Sequence, residues 1–276
     1  MRALPWLLSA TLLVVTSVGA TPQEELHELR AYFEKRFPRY QLEAFVDGAY
    51  ALDEDARTQW QAIEEFPPYE IDLEAGEELF DTPFANGNSY ADCFPNGGIG
   101  IRQNYPYFDS ESNQVITLEY AINQCREANG EKPLRYKRGD IAAISAYMAY
   151  TSRGNELDIK VPTDDPGAMA WYERGKQMFY GKRGQLNMSC ADCHVYNAGM
   201  YIRSELLSPA VGQITHFPVY RSKWGSLGTL HRRYAGCNEQ VRAKPFDAQS
   251  PEYRALEFFH TYMSNGMEVN GPGVRK

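Results

Sequence analysis

Five residues, Cys190-Ala-Asp-Cys193-His194, restrict this chain more than any others. Two thiols separated by two residues and followed by an imidazole have the spacing that attaches haem c. The thiols add to the two vinyl groups of one porphyrin, and the histidine then falls beneath the iron as proximal ligand. A thioredoxin-type redox pair would instead follow a strand in a βαβ unit, and no such pattern precedes Cys190. A zinc site would need a second Cys/His pair at metal spacing. Residues 167–180, GAMAWYERGKQMFY, place Met169, Trp171, Tyr172, Met178 and Phe179 on an imperfect helical face that ends in a glycine-rich turn at 181–184. Helix, loop and C-x-x-C-H in that order open a cytochrome c-like domain. Candidates for a sixth iron ligand are Met200, His216, His231, Cys237, His260, Met263 and Met267.

The N-terminus sets the compartment. Arg2 supplies a positive start, Leu7 to Val18 is apolar or small, and Val18-Gly19-Ala20 offers small residues for cleavage after Ala20. Residues 1–20 therefore read as a secretory signal peptide, too short in its apolar run for the roughly 20 residues of a membrane span. No other segment reads as a span. The expected product is exported to an oxidising space, where disulfides persist. A formal net charge of −8 argues against nucleic acid as a partner.

The chain repeats itself. Glu74–Phe80 resembles Glu173–Phe179 at an offset of 99, and Thr117–Cys125 resembles Thr229–Cys237 at an offset of 112. The second offset also carries Tyr147 onto Phe259, Ser152 onto Ser264 and Gly154 onto Gly266. In this register Cys93 falls near the place of Cys190, as the remnant of an attachment cysteine, and Cys125 falls on Cys237. No second cysteine or histidine surrounds Cys93, so the first half lacks this route to haem. Cys93 and Cys125 are then the expected disulfide, across the space a haem would fill. Of five cysteines, two attach haem, two pair, and Cys237 remains, opposite the attachment site. Arg233 stands four residues earlier, on the same face if the segment is helical. A guanidinium there favours thiolate over thiol. Arg232, Arg242 and Lys244 add positive charge to an otherwise acidic chain, for an anionic substrate, for an acidic partner surface, or as a solvated face.

The fold expected is mainly α, with two cytochrome c-like domains in tandem and only the second binding haem. Residues 21–60 form a helical arm with Leu29, Tyr32, Phe33 and Phe37 on one side. Residues 61–154 form the haem-less domain and 155–276 the haem domain, with a linker near 154–166. The glycine- and proline-rich stretches 94–108 and 207–228 are expected as loops.

Together Cys-Ala-Asp-Cys-His at 190–194, Arg-Arg-Tyr-Ala-Gly-Cys-Asn at 232–238, Ile122-Asn-Gln-Cys125-Arg126 and the C-terminal Ser264-Asn265-Gly266 and Pro272-Gly273-Val-Arg275 resemble the SoxA family, the cytochrome subunit of the SoxAX complex. The chain is similar to the single-haem branch, where a disulfide replaces the first haem. The resemblance implies a periplasmic L-cysteine S-thiosulfotransferase. Such an enzyme oxidatively joins thiosulfate to a cysteine of the carrier SoxYZ and passes electrons to cytochrome c, working as a heterodimer with SoxX. It implies one covalent haem c on Cys190 and Cys193, with His194 proximal and Cys237 distal, the latter able to carry an extra sulfur as a persulfide. It implies that Arg233 holds the substrate anion. Cys237 is either the nucleophile or a ligand that only tunes the iron. The competing readings are a plain periplasmic electron carrier with Met or His as sixth ligand, and a binding subunit whose activity belongs to its partner.

Overall fold

The structure, a computed structural model, describes residues 20–275. The signal peptide expected over 1–20 thus lies outside the described residues, Ala20 excepted. Thr21 starts α1 (Pro22–Arg36): its hydroxyl accepts from the Glu24 amide, and the Glu24 carboxylate accepts from the Thr21 amide. This reciprocal cap, with proline at the first helical position, satisfies donors a helix start would leave open. Tight turns over 42–51 lead into α2 (Glu54–Glu64). The expected arm is therefore two helices joined by turns, and its apolar side, Leu26, Leu29 and Phe33, is buried in the second of two main cores.

Along the rest of the chain follow α3 (Glu70–Asp81), the strands β1 (Tyr107–Asp109) and β2 (Gln114–Ile116), α4 (Leu118–Ala128), α5 (Asp140–Tyr150) and α6 (Pro166–Tyr180). Then come β3 (Tyr201–Ile202), β4 (Glu205–Leu206), β5 (Val219–Arg221), β6 (Ser226–Gly228), α7 (Leu230–Gln240), α8 (Pro251–Tyr262) and β7 (Gly273–Arg275). Parts of the stretches expected as loops are strands: β5 and β6 are antiparallel, β7 adds parallel to β5, and β1 pairs with β2. Short three-residue strands escape a periodicity reading because a period of two needs more positions to show. The segment 154–166 expected as a linker is packed against the chain's C-terminal part. Leu157 and Ile159 are buried, and the Gly154 and Leu157 amides donate to Val269 and Met267 carbonyls.

The repeat is visible in the packing. α3 crosses α5 at Gly76, where a Cβ would stand 2.1 Å from the Ala143 carbonyl oxygen; α6 crosses α8 at Gly175, where a Cβ would stand 2.0 Å from that of Ala255. Only glycine permits backbones to approach so closely. Ring pairs beside each crossing match as well: Phe80 with Tyr147 at 5.3 Å, and Phe179 with Phe259 at 5.6 Å. The hairpin β1–β2 precedes α4 as β5–β6 precedes α7, residue for residue at the offset of 112. Phe80, Tyr90, Ile122, Ile141 and Met148 centre the first core; Phe33, Phe45, Tyr172, Phe179 and Phe259 centre the second.

Contacts between the halves are reciprocal. Thr117 donates its hydroxyl to Gln249 at 2.8 Å, while Thr229 donates its own to the Tyr136 carbonyl at 2.8 Å and its amide to that of Lys137 at 3.2 Å. Thr117 and Thr229 are repeat equivalents, and so are Lys137 and Gln249. Such i-to-j and j-to-i pairing is the signature of a two-fold arrangement, here within one chain. Among the described residues no helix is long and apolar enough to cross a membrane.

Candidate haem centre and thiol site

Cys190 to Tyr196 form one wide helical turn, of the π type over Asp192–Tyr196. Widened turns of this kind occur preferentially where side chains must be aimed at a ligand. Its start is fixed by Ser189 and Asp192: the Ser189 amide and hydroxyl donate to Asp192 Oδ2 at 2.8 and 3.0 Å, and the Asp192 amide donates to Ser189 Oγ at 3.0 Å. From outside, α1 holds the turn down. The Tyr32 hydroxyl donates to the Val195 carbonyl at 3.2 Å, and Arg36 donates to that of Ala198 at 2.8 Å.

The same cap recurs in the first half, where the Ser89 amide and hydroxyl donate to Asp92 Oδ2 at 2.7 and 3.0 Å. This corrects the register expected for Cys93. Ser89-Tyr-Ala-Asp-Cys93-Phe overlies Ser189-Cys-Ala-Asp-Cys193-His at an offset of 100, so Cys93 stands for Cys193, not Cys190. Tyr90 occupies the place of Cys190 and Phe94 that of His194. Both are buried, and Tyr90 stacks on Phe80 at 5.7 Å. Aromatic rings thus fill the first half where the second keeps its thiol and imidazole. Cys93 is disulfide-bonded to Cys125, with Cα atoms 5.8 Å apart.

In the second half Cys190, Cys193 and Cys237 are all unbonded and half-buried. Burial pushes the Cys190 thiol up to about 12, and the neighbouring Cys237 and Cys193 add to the shift. Burial first and Cys237 second also raise Cys193, which Arg233 draws back down. One small region therefore holds three sulfurs and a guanidinium. Cys237 and Arg233 reach it from α7, one helical turn apart.

His194 is oriented from behind. Its Nδ1 lies 2.9 Å from the Ser208 carbonyl oxygen, an acceptor that assigns the proton to Nδ1 and leaves Nε2 as the donor atom. Gln213 Nε2 sits 2.9 Å from Nδ1 and 3.3 Å from Nε2, and donates to Ser208 Oγ at 3.0 Å. Burial lowers the imidazole to about 4, so it is neutral, as metal ligation requires. The donor set of two thiols at vinyl spacing, a neutral oriented imidazole and an apolar surround that includes Ala191, Val195 and Phe179 fits haem c.

Other candidate ligands have different surroundings. Met200 is 58% exposed. Met263 and Met267 belong to the second apolar core. His231 accepts the Gln249 amide at 2.9 Å and faces Glu257 at 3.0 Å. His260 lies 3.1 Å from the Tyr234 hydroxyl and turns toward the Ala210 carbonyl. His216 is buried against Phe217. Among the cations, Arg232 lies 4.3 Å over the Trp224 ring and donates to Ser226 Oγ and the Leu227 carbonyl at 2.9 and 3.0 Å. Arg242 and Lys244 are exposed. One residue escaped the sequence reading: Arg221, on β5, is buried beside Arg233 and Cys237. Its only sequence signal is a cation in a short β-like run, which is not distinctive.

A family model described as the SoxA/TsdA cytochrome c domain matches residues 75–157 and 174–269. The chain is 60% identical to the L-cysteine S-thiosulfotransferase subunit SoxA of Chlorobaculum thiosulfatiphilum, over 91% of this chain and 87% of that protein. The chain belongs to the SoxA family of L-cysteine S-thiosulfotransferase subunits. The same-named subunit of Allochromatium vinosum is 54% identical over 98% of this chain and 96% of its own length. The crystal structure of SoxXA from P. pantotrophus superposes with a TM-score of 0.72 at 31% identity, covering 79% of this chain and 84% of that one. The cytochrome c domain match agrees with the haem c donor set and with the mainly helical fold.

Proposed function

We propose that this chain is the single-haem subunit of a periplasmic thiosulfate-conjugating enzyme, assembled with a SoxX cytochrome and acting on a cysteine of the SoxYZ carrier. In architecture it is two cytochrome c-like halves, over 61–154 and 155–276, with an arm over 21–60. Only the second half carries haem. The repeated helix crossings support the tandem, and Tyr90 and Phe94 in place of Cys190 and His194 support its one-sided haem content. One observation carries the reading: Cys237, free and half-buried, shares its surroundings with both attachment thiols and with Arg233.

Cys190 and Cys193 would hold haem c, with His194 and Cys237 as the candidate iron ligands, and the group would supply a one-electron acceptor. The chain's own groups do the rest. Ser208 holds the proton on Nδ1 of His194. Arg233 attracts the thiosulfate dianion and presents it with charge-assisted hydrogen bonds. The overall step joins a carrier thiol, R–SH, to thiosulfate as R–S–S–SO3⁻, releasing one proton and two electrons, which leave to c-type cytochromes. Cys237 serves either as a passing station or as a ligand alone. As a station, its thiolate first forms Cys237–S–S–SO3⁻ with loss of the two electrons, and the carrier thiolate then attacks the middle sulfur and expels the Cys237 thiolate.

Cys237→Ala in the assembled complex tests this. Haem should still attach, because Cys190, Cys193 and His194 remain. The absorption spectrum should change with the lost sulfur ligand, and conjugation should fall by about 100-fold or more, the scale set by an activated nucleophile. Full conjugation with an altered spectrum would reduce Cys237 to a ligand. A methionine–iron charge-transfer band in the wild-type near infrared would favour a plain electron carrier.

A further inference from the structure

Arg221 is held rigidly but not spent. It ends β5, the middle strand of the order β6–β5–β7, and its backbone is paired with Ser226 on one side and Arg275 on the other. The residue is 8% exposed, and its Nε is buried without a hydrogen-bond partner. The carboxylate facing it, Glu205, stands 3.9 Å away with 57% of its own side chain in solvent. Adjacent Arg232 makes the contrast: it lies closer to the shared Trp224 ring, 4.3 against 5.5 Å, and has its hydrogen bonds filled. A buried guanidinium with an open donor is costly unless something anionic completes it.

Its neighbours say what that is. Burial lowers Arg221 to about 10, and the next largest cause is the positive charge of Arg233; Cys237 acts in the opposite sense. The charges of the two guanidinia therefore oppose each other here, and the Cys237 sulfur acts on Arg221 as well. The repeat supplies an internal control. The equivalents of Arg221 and Arg233 in the first half are Asp109 and Ala121, and that half has no C-x-x-C-H. Asp109 merely closes a turn, accepting the Ser112 amide at 3.1 Å. Neither cation is needed to build the hairpin or the helix that bears it.

We propose that Arg221 is a second substrate-binding residue, which forms with Arg233 a pair of guanidinia that selects a doubly charged sulfur oxyanion over monoanions. This rests on the reading of Cys237 and Arg233 given above and adds the charge of the ligand. Two fixed cations that repel when empty gain most from a 2− ligand that neutralises both. The forked donors of arginine suit tetrahedral oxyanions. Glu205, the exposed carboxylate nearby, competes weakly for the same donors.

The test uses the haem-loaded chain, alone and in complex with its partner cytochrome. Sulfate and thiosulfate should raise the melting temperature of the wild type more than chloride or nitrate at equal ionic strength. Arg221→Gln should abolish that dianion-specific part and raise the half-saturating thiosulfate concentration about 10- to 100-fold, the range for one lost charged hydrogen bond. Haem content and absorption spectrum should stay unchanged. Arg221→Lys, which keeps the charge but not the fork, should recover part of the effect, and Glu205→Gln should strengthen dianion binding. Should Arg221→Gln keep full dianion stabilisation while Arg233→Gln loses it, Arg221 is no part of the site and the proposal fails alone. Should neither substitution matter, the anion role of Arg233 fails with it. A shifted haem potential with unchanged dianion binding would assign Arg221 to a haem propionate and overturn the proposal.

Discussion

Glu119 lies out of water where the two halves meet, with the Ser145 hydroxyl donating to its Oε1 at 2.8 Å. Its repeat equivalent is His231, and the equivalent of Ser145 is Glu257, so one pair of positions holds carboxylate and hydroxyl in one half and imidazole and carboxylate in the other. Burial raises the Glu119 carboxyl above its ordinary 4.5, Glu257 raises it further, and Arg102 opposes. A raised folded value means that the folded state holds the proton more tightly than the unfolded one. The stability this contributes is complete below 4.5 and lost as pH rises through the folded value. Glu119→Gln, which keeps an acceptor and cannot ionise, should flatten the fall of melting temperature between acid and neutral pH. A variant that melts with the wild-type pH slope would assign that slope to another group.

Helix pairs carry the fold's tolerance and its weakness. At Gly175 an added methyl meets the Ala255 carbonyl backbone, which cannot swing aside as a flexible side chain could. Gly175→Ala should destabilise by about 1–3 kcal/mol, as overpacking does. Because Phe179 of α6 and Phe259 of α8 belong to the apolar core against which Cys190 packs, haem incorporation should fall as well. Gly76→Ala meets the Ala143 carbonyl in the same way and should cost as much, yet leave the haem spectrum unaltered. Urea titration and haem absorbance of the two variants separate these outcomes. A further element is explained by the shift of offset from 100 at Cys193 to 112 at β5: twelve residues enter between the attachment turn and the hairpin. They include β3 and β4, and the enlarged segment brings the Ser208 carbonyl to His194. The first half, with Phe94 in place of the histidine, has no imidazole to orient.

Over the whole molecule the two segments of the sequence repeat fill corresponding positions differently. The first fills them with Tyr90, Phe94 and the Cys93–Cys125 disulfide; the second has three separate sulfurs and an imidazole. The disulfide spans a separation of 32 residues. Its removal by paired Cys93→Ser and Cys125→Ser should lower stability by about 3–4 kcal/mol, the chain-entropy value for such a loop. The denaturant midpoint should fall while the haem spectrum of the folded protein is unchanged. Loss of the haem signature at the same denaturant as the first-half transition would mean that the reciprocal Thr117 and Thr229 contacts couple both halves into a single unfolding unit.

Local chemistry was legible in the residues. The proposed roles of Cys190, Cys193 and His194 come from the sequence because vinyl spacing and ligand position are properties of five consecutive residues. The repeat at 112 could be read because helices and their aromatics keep register, and by it the pairing of Cys93 with Cys125. The register of Cys93 is hidden in the sequence, since the offset slips by one residue between Gly76 and Ser89, Ser-x-Ala-Asp-Cys is short, and its Tyr and Phe replacements hide the match. Arg221 was invisible. What distinguishes it is an open donor, burial and a like-charged neighbour twelve residues away, and these arise only when a strand end and a helix converge in space. Covalent and ligand chemistry travels with neighbours along the chain, whereas the electrostatics of a site belongs to groups that only folding brings within reach of one another.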